Sequence, residues 1–477
     1  MTTIEMLADG VLVLPRALDA LRVHLIGIGG SGMAGLAAFL LRRGSSVSGS
    51  DMQPGDEVRR LAEAGVHVAE PGTEAIPPDV DLVVRSAAVP DTQPEVVEAR
   101  RRGVPVVKYA QALGALMSHC AGVAISGTHG KSTTTGWLSY VLREAGLDPS
   151  FVIGASVPQL GGGSGAGDGP HFVAEACEYD RSFLNLRPQR AAILNIEEDH
   201  LDCYRNLAAI EAAFAEFAAR VPADGLLVTN ANDASCRRVA AHATCRVETF
   251  GFTDAADWSA SELVPERGCY AFSVSHRTKM LGRISVGLPG RHNVANALAV
   301  MALATDCGAQ WEQIVPALAS FRGVRRRLEL RGKARGVRVL DDYAHHPTEI
   351  RATLAAARQR YEPRQLWCLF QPHQHSRTRF LLSAFAESFA QADHVVVPDI
   401  YFVRDSERER EAVSAEDLVE RIRARGDDAE FLPSFDSIVT RVVAAAQPGD
   451  VVITMGAGNI WKVADELLRR LREDLPA

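Results

Sequence analysis

Two glycine clusters in this sequence stand where a nucleotide phosphate could be held. Gly27, Gly29, Gly30 and Gly32 form G-x-G-x-x-G between the apolar run RVHLI and a run rich in alanine and leucine. A strand, a glycine turn and a helix in that order let the backbone approach a diphosphate and turn helix N–H groups toward it. Asp51 ends the next apolar segment, where a carboxylate can bond a ribose hydroxyl. The second cluster, GTHGKST, runs from Gly127 through Thr128, His129, Gly130, Lys131 and Ser132 to Thr133. It adds a lysine for the β- and γ-phosphates and a hydroxyl for Mg²⁺. The full G-x-x-x-x-G-K-[ST] pattern is not met, since Ile125 stands where the first glycine would be.

Acids follow at the ends of later apolar runs: Glu175 in AEACEYD, then Glu197, Glu198, Asp199 and His200 in NIEEDHLD. Magnesium prefers oxygen ligands and keeps several waters, so one or two carboxylates beside nucleotide phosphates suffice, and Glu175 suits that role. Four more polar clusters remain: RHNVAN (Arg291 to Asn296), GVRRRLE (Gly323 to Glu329), DDYAHHPTE (Asp341 to Glu349) and QPHQHSRTR (Gln371 to Arg379). The last two follow apolar strands, at the open end of a sheet where ligand-binding residues of α/β domains collect.

The elements that must position these residues are short apolar strands alternating with Ala/Leu-rich helices, the mark of βαβ units and parallel sheets. The pattern restarts three times and predicts an α/β chain with domains over 1–118, 119–322 and 323–477. The first and last are expected to be Rossmann-like, and the middle one to be of P-loop ATPase type with antiparallel strands over roughly 245–290. The stretch QLGGGSGAGDGP (159–170) reads as a flexible surface loop.

Composition bounds the function classes. With 477 residues, 47% hydrophobic and 23% charged, the chain is a multidomain globular protein. Its 51 basic residues against 59 acidic ones give a formal charge of −8, which disfavours nonspecific binding to nucleic acid or anionic membranes. The eight cysteines form no C-x-x-C pair and read as reduced thiols of a cytoplasmic protein. Neither a signal peptide nor an apolar run of membrane-spanning length is expected.

Taken together, GIGGSGM, GTHGKS, NIEEDHLD, GRHNVANA and DDYAHHPTE resemble the Mur ligases, the ATP-dependent amide-bond ligases that build the peptide of bacterial peptidoglycan, over nearly the whole chain. The resemblance is to the alanine-adding branch. It implies that L-alanine is joined to the carboxylate of UDP-N-acetylmuramate through an acyl phosphate, with ATP and Mg²⁺, in a monomer or homodimer. By the same resemblance, Gly29, Gly30, Ser31, Gly32, Met33, Asp51 and Ser86 would hold the UDP-sugar. Residues Gly127 to Thr133 with His292, Asn296 and Arg326 would hold ATP, and Ser132, Glu175 and His200 the metal. Asp342 and Tyr343 would line the amino-acid side, with Lys131, His200, His345, His346 and Arg377 catalytic. The family's E-A-D-E-S-D reads Glu175-Ala176-Cys177-Glu178-Tyr179-Asp180 here, so a thiol replaces an acid. No lysine follows His200 at the place where some relatives carry a carbamylated one, in agreement with the alanine-adding branch. The alternatives are a sister ligase that recycles a murein tripeptide onto the same sugar nucleotide, an NAD-dependent oxidoreductase resting on the first glycine cluster and Asp51 alone, and a noncatalytic UDP-sugar-binding regulator.

Overall fold

Strands made mostly of apolar residues, such as Leu82–Arg85, His394–Val397 and Val451–Met455, are buried along almost their whole length. Such strands fit only parallel sheets covered on both faces. The computed structural model describes residues 4–6, 12–52, 55–69, 76–200 and 203–473, without the side chains of Ser31, Asp56 and Glu57. Leu201 and Asp202 of the NIEEDHLD segment lie outside the described residues.

Three parallel-dominated sheets carry the chain, as the α/β reading expects. The first has the spatial order His67–Ala69, Ser46–Ser50, Arg22–Ile26, Leu82–Arg85, Val106–Lys108, parallel throughout. The second runs Gly162–Gly165, Ser150–Val157, His171–Glu175, Ala121–Ser126, Arg190–Ile193, Leu226–Asn230, Arg246–Gly251, then Trp258–Glu266, Cys269–His276 and Lys279–Ser285. The third runs Glu329–Ala334, Val337–Asp342, Val451–Met455, Leu366–Phe370, His394–Val397, Ala429–Phe431, with only its first strand antiparallel.

Two local expectations are corrected. Arg246–Gly251 pairs parallel with Leu226–Asn230, because the helix Ala234–Ala240 supplies the crossover that parallel neighbours need. The hairpin strands begin only at Trp258, and Arg267 and Gly268, at φ 51° and 75°, make the tight turn that reverses the chain. Part of the glycine-rich stretch is also ordered: Gly162–Gly165 pairs antiparallel with Ser150–Val157.

The described chain divides into two compact units. The first comprises residues up to 261 with 273–284 and 295–322; the second comprises 262–272, 285–294 and 323 onward. In the first unit, one hydrophobic cluster extends from Leu12 to Val239, so the first and second sheets share a core. Phe39 meets Phe172 at 5.1 Å between ring centroids within it. Glycines permit the close approach. A Cβ on Gly35, in the helix Ser31–Arg42, would lie 2.5 Å from Ser164 Cβ, and one on Gly114, in the helix Tyr109–Met117, would lie 2.0 Å from the Asn185 carbonyl oxygen. In the second unit, the two faces of the third sheet carry separate clusters, one around Phe370, Phe385 and Phe389 and the other around Trp367, Ile460 and Leu467. Among the described residues, no helix is long and apolar enough to cross a membrane.

Gly114 separates helix propensity from packing. Alanine in a helix interior normally gains up to about 1 kcal/mol over glycine, whereas overpacking costs about 1–3 kcal/mol. Gly114→Ala is therefore expected to lower the Tm in calorimetry, and an unchanged or raised Tm would contradict the contact with Asn185.

Candidate active site

The first glycine loop leaves the strand Arg22–Ile26 and enters the helix Ser31–Arg42. Gly27 takes φ +81°, a left-handed conformation that favours glycine, and a Cβ there would lie 3.1 Å from Ser86 Cβ. Gly30 is the N-cap of the helix, and Gly32 packs so closely on Tyr109 that a Cβ would stand 2.8 Å from its hydroxyl. Asp51 Oδ2 accepts the Gly29 N–H at 2.8 Å, so this carboxylate shapes the loop as well as standing at the strand end where a ribose was expected. The Met33 side chain is buried in the shared core, which leaves only its backbone to a ligand. The Ser31 side chain lies outside the described residues.

The second loop is built at the carboxyl ends of three adjacent parallel strands, Ala121–Ser126 flanked by His171–Glu175 and Arg190–Ile193. Gly127 and Gly130 take φ +138° and +84°, and the helix Lys131–Glu144 starts directly after Gly130. Asn195 clamps the turn. Its carbonyl accepts Thr128 N–H at 3.0 Å, its Oδ1 accepts His129 N–H at 2.7 Å, and its Nδ2 donates to the His129 carbonyl at 3.0 Å. Thr128 Oγ1 in turn accepts Glu197 N–H at 2.9 Å. Ser132 and Thr133 are buried in the first helical turn, and a Cβ on Gly130 would lie 3.2 Å from Asn296 Oδ1.

Lys131 bends back over this loop. Its Nζ donates to the carbonyls of Gly127 at 2.6 Å and Thr128 at 3.0 Å, and lies 3.0 and 2.9 Å from the two Glu178 carboxylate oxygens. Burial alone would lower this ammonium's pKa, but Glu178, with Cys177 and Glu175, holds it above the ordinary lysine value. Burial would likewise raise Glu178, yet Lys131 and then His200 hold it below the usual carboxylate range. His200, at φ 52°, places Nε2 3.5 Å from Glu178 Oε1 and its ring edge-on to Tyr179. Glu175 spends one oxygen on Gly154 N–H at 2.7 Å. The Ser132 hydroxyl and the second Glu175 oxygen fit a hard divalent cation that keeps most of its waters. The His200 imidazole, turned to Glu178, fits it less well.

In the second unit, residues converge where Val337–Asp342, Val451–Met455 and Leu366–Phe370 end side by side. Asp342 accepts N–H bonds from Leu328 at 2.6 Å and Ala344 at 2.8 Å. Burial nevertheless pushes its carboxyl up to about 6, against the charge of Arg327 and these two bonds. Arg326 donates to Asp341 at 2.9 Å and to the Gly456 carbonyl at 2.8 Å, and its guanidinium lies 5.0 Å from the Tyr343 ring centroid. Arg327 flanks the same ring at 5.2 Å.

The adjacent histidines differ. His346 is the N-cap of the helix Pro347–Tyr361, its Nδ1 accepting Thr348 N–H at 3.3 Å. His345 Nδ1 faces the Tyr343 carbonyl at 3.1 Å, a contact satisfied only if Nδ1 donates, so in the neutral ring the lone pair is on Nε2. His373 stands 6.2 Å from His345 between ring centroids and stacks on Tyr401; burial first, then His345, Arg377 and Arg404, push it down to about 3. Arg377 lies on the short helix His375–Phe380 that follows. His292 is exposed near the start of the helix Arg291–Asp306, one turn before Asn296.

In the first unit, then, the structure brings together the second loop, Lys131, Ser132, Glu175, His200 and Asn296; in the second it gathers Arg326, Asp342, Tyr343, His345, His346 and Arg377. Sequence reasoning passed over Asn195, Glu178 and His373, although each lies inside a polar segment already singled out. The available signal was their place just after a strand.

Residues 22–120 match the Mur ligase family catalytic domain, 125–304 the Mur ligase middle domain and 326–458 the Mur ligase glutamate ligase domain. The chain is 41% identical over 449 residues to a UDP-N-acetylmuramate–L-alanine ligase of Caldanaerobacter subterraneus, covering 94% of this chain and 97% of that one. Its fold is similar to a UDP-N-acetylmuramate-alanine ligase of Thermotoga maritima, with TM-score 0.78 at 28% identity over 94% of this chain and 99% of that one. It is also similar to a murein peptide ligase of Psychrobacter arcticus, with TM-score 0.68 at 27% identity over 96% and 100% of the two chains. Three adjoining family matches and a relative this similar along nearly its full length establish that the chain belongs to the Mur ligase family.

Proposed function

We propose that this protein is an ATP-dependent ligase that joins L-alanine to the carboxylate of UDP-N-acetylmuramate in peptidoglycan precursor synthesis. The observation that carries the reading is a buried ammonium, Lys131, paired with Glu178 at the head of a helix, in a chain 41% identical to a UDP-N-acetylmuramate–L-alanine ligase over 94% of its length.

A carboxylate and an amine do not condense at a useful rate until the carboxylate gains a leaving group. The muramyl carboxylate oxygen attacks the γ-phosphorus of ATP, the bond to ADP breaks, and an acyl phosphate forms. Lys131 and the N–H groups at the start of the helix Lys131–Glu144 offset the charge gathering on the phosphoryl oxygens. Ser132 and Glu175 would hold Mg²⁺, whose charge would further neutralise the phosphates. Asn296, beside Gly130, and His292 serve the nucleoside, and Arg326 the phosphates. The first glycine loop with Asp51 and Ser86 holds the UDP diphosphate and ribose.

The amine of L-alanine then attacks the acyl carbon, and phosphate leaves. His345 is the better base of the adjacent pair, since its Nε2 carries the lone pair whereas His346 spends Nδ1 on capping a helix. Arg377, close enough to His373 to lower its pKa, suits the amino-acid carboxylate, and Asp342 and Tyr343 serve the same substrate.

The reading is tested by phosphate release from ATP with UDP-N-acetylmuramate and Mg²⁺, comparing L-alanine, glycine, L-serine and a murein tripeptide. Release driven best by L-alanine is expected; release with tripeptide alone would move the assignment to the recycling ligase. Lys131→Ala should lower kcat at least about 100-fold, and normal turnover in that variant would sink the scheme. His345→Gln should lower kcat by about 10²–10⁴. His346→Gln should instead cost on the order of 1 kcal/mol of stability through the lost cap, with a smaller change in kcat.

A further inference from the structure

We infer that Glu178 is a positioning residue for phosphoryl transfer: one buried carboxylate holds both the Lys131 ammonium and the His200 imidazole, and it releases the lysine when nucleotide phosphate arrives. The inference rests on the ligase reading above and extends it to a residue outside the glycine loops.

An ammonium has three protons to donate. In Lys131 two point to the Gly127 and Thr128 carbonyls and the third to Glu178, at 2.6, 3.0 and 3.0 Å. A phosphate oxygen can engage Nζ only by displacing one of these partners. The carbonyls belong to a loop pinned by Asn195, whereas the Glu178 carboxylate is carried on rotatable bonds. Glu178 is therefore the partner that gives way, and its side chain is only 3% exposed, so its charge is poorly screened.

The carboxylate is itself held at a defined place. The Glu178 carbonyl accepts the Tyr204 hydroxyl at 2.6 Å, and the next residue, Tyr179, packs edge-on against the His200 ring. His200 Nε2 lies 3.5 Å from the same Oε1 that bonds Lys131. Two consequences follow. A carboxylate beside the phosphate site opposes an anionic nucleotide, so removing its charge should tighten binding. Once the lysine has passed to the phosphate the same carboxylate still holds the His200 imidazole, so removing or shortening it should slow the chemical step.

The experiment compares wild type, Glu178→Gln and Glu178→Asp by steady-state kinetics in L-alanine-dependent phosphate release, by calorimetric titration with MgADP, and by Tm. For Glu178→Gln we expect the ATP KM and the ADP Kd to fall several-fold while kcat falls about tenfold or more. Glu178→Asp keeps the charge but is one methylene shorter, and should keep KM and Kd near the wild-type values while kcat still falls. A purely structural role would weaken nucleotide binding, kcat and Tm together in both variants, and that pattern overturns the inference. Wild-type kcat, KM and Kd in Glu178→Gln overturn it equally. If wild type itself gives no alanine-dependent release, the ligase reading fails, while the ADP titration still reports on the Lys131–Glu178 exchange.

Discussion

An ammonium ion with a side chain only 12% exposed, placed at the head of a helix, is the condition on which the rest of the candidate site depends. The helix N-terminus is already partially positive, so a cation there gains nothing from the helix and loses most of its hydration. Lys131 is tolerated because two loop carbonyls and a buried carboxylate surround it. Those carbonyls point inward only because Gly127 and Gly130 adopt positive φ, and the loop keeps that shape because Asn195 bonds it from the neighbouring strand end. Removing any of these would leave a charge with too few partners, a much larger loss than a missing surface ion pair.

The sheets explain why these groups meet. Parallel strands covered on both faces have little room for polar side chains except at their ends. The carboxyl ends of Ala121–Ser126, His171–Glu175 and Arg190–Ile193 therefore gather the second glycine loop, Glu175 and the Asn195–His200 segment, although these are far apart in sequence. The third sheet repeats the arrangement with Asp342, Gly456 and Gln371 at neighbouring strand ends. In the first unit a core continuous from Leu12 to Val239, with glycines at the closest helix contacts, joins the first and second glycine loops in one body.

Electrostatics in the second unit sort residues that look equivalent in the sequence. His345 and His346 are adjacent, yet a backbone carbonyl makes one Nδ1 a donor and a helix N–H makes the other an acceptor, so in the neutral rings Nε2 carries the lone pair in His345 and the proton in His346. Asp341 and Asp342 are likewise adjacent and both raised by burial, but Asp341 is bound to Arg326 while Asp342 accepts backbone N–H groups.

The α/β class, the two glycine loops with their helices, and most of the acids and histidines at strand ends are legible in the residue order alone. Each of these is written locally, as an apolar run followed by a glycine turn, a charge or a helix start. Residue order did not show that Arg246–Gly251 is parallel, that part of the glycine-rich stretch is a strand, or that Met33 turns into the core. Those depend on which strands become neighbours and which helix face is covered. Nor could spacing reveal Glu178, Asn195 or His373. Their significance lies in partners 47 and 66 positions away for Glu178 and Asn195, and across the sheet for His373. Those meetings arise from folding, because the energy of a buried charge or hydrogen bond depends on what surrounds it in space, not on its distance along the chain.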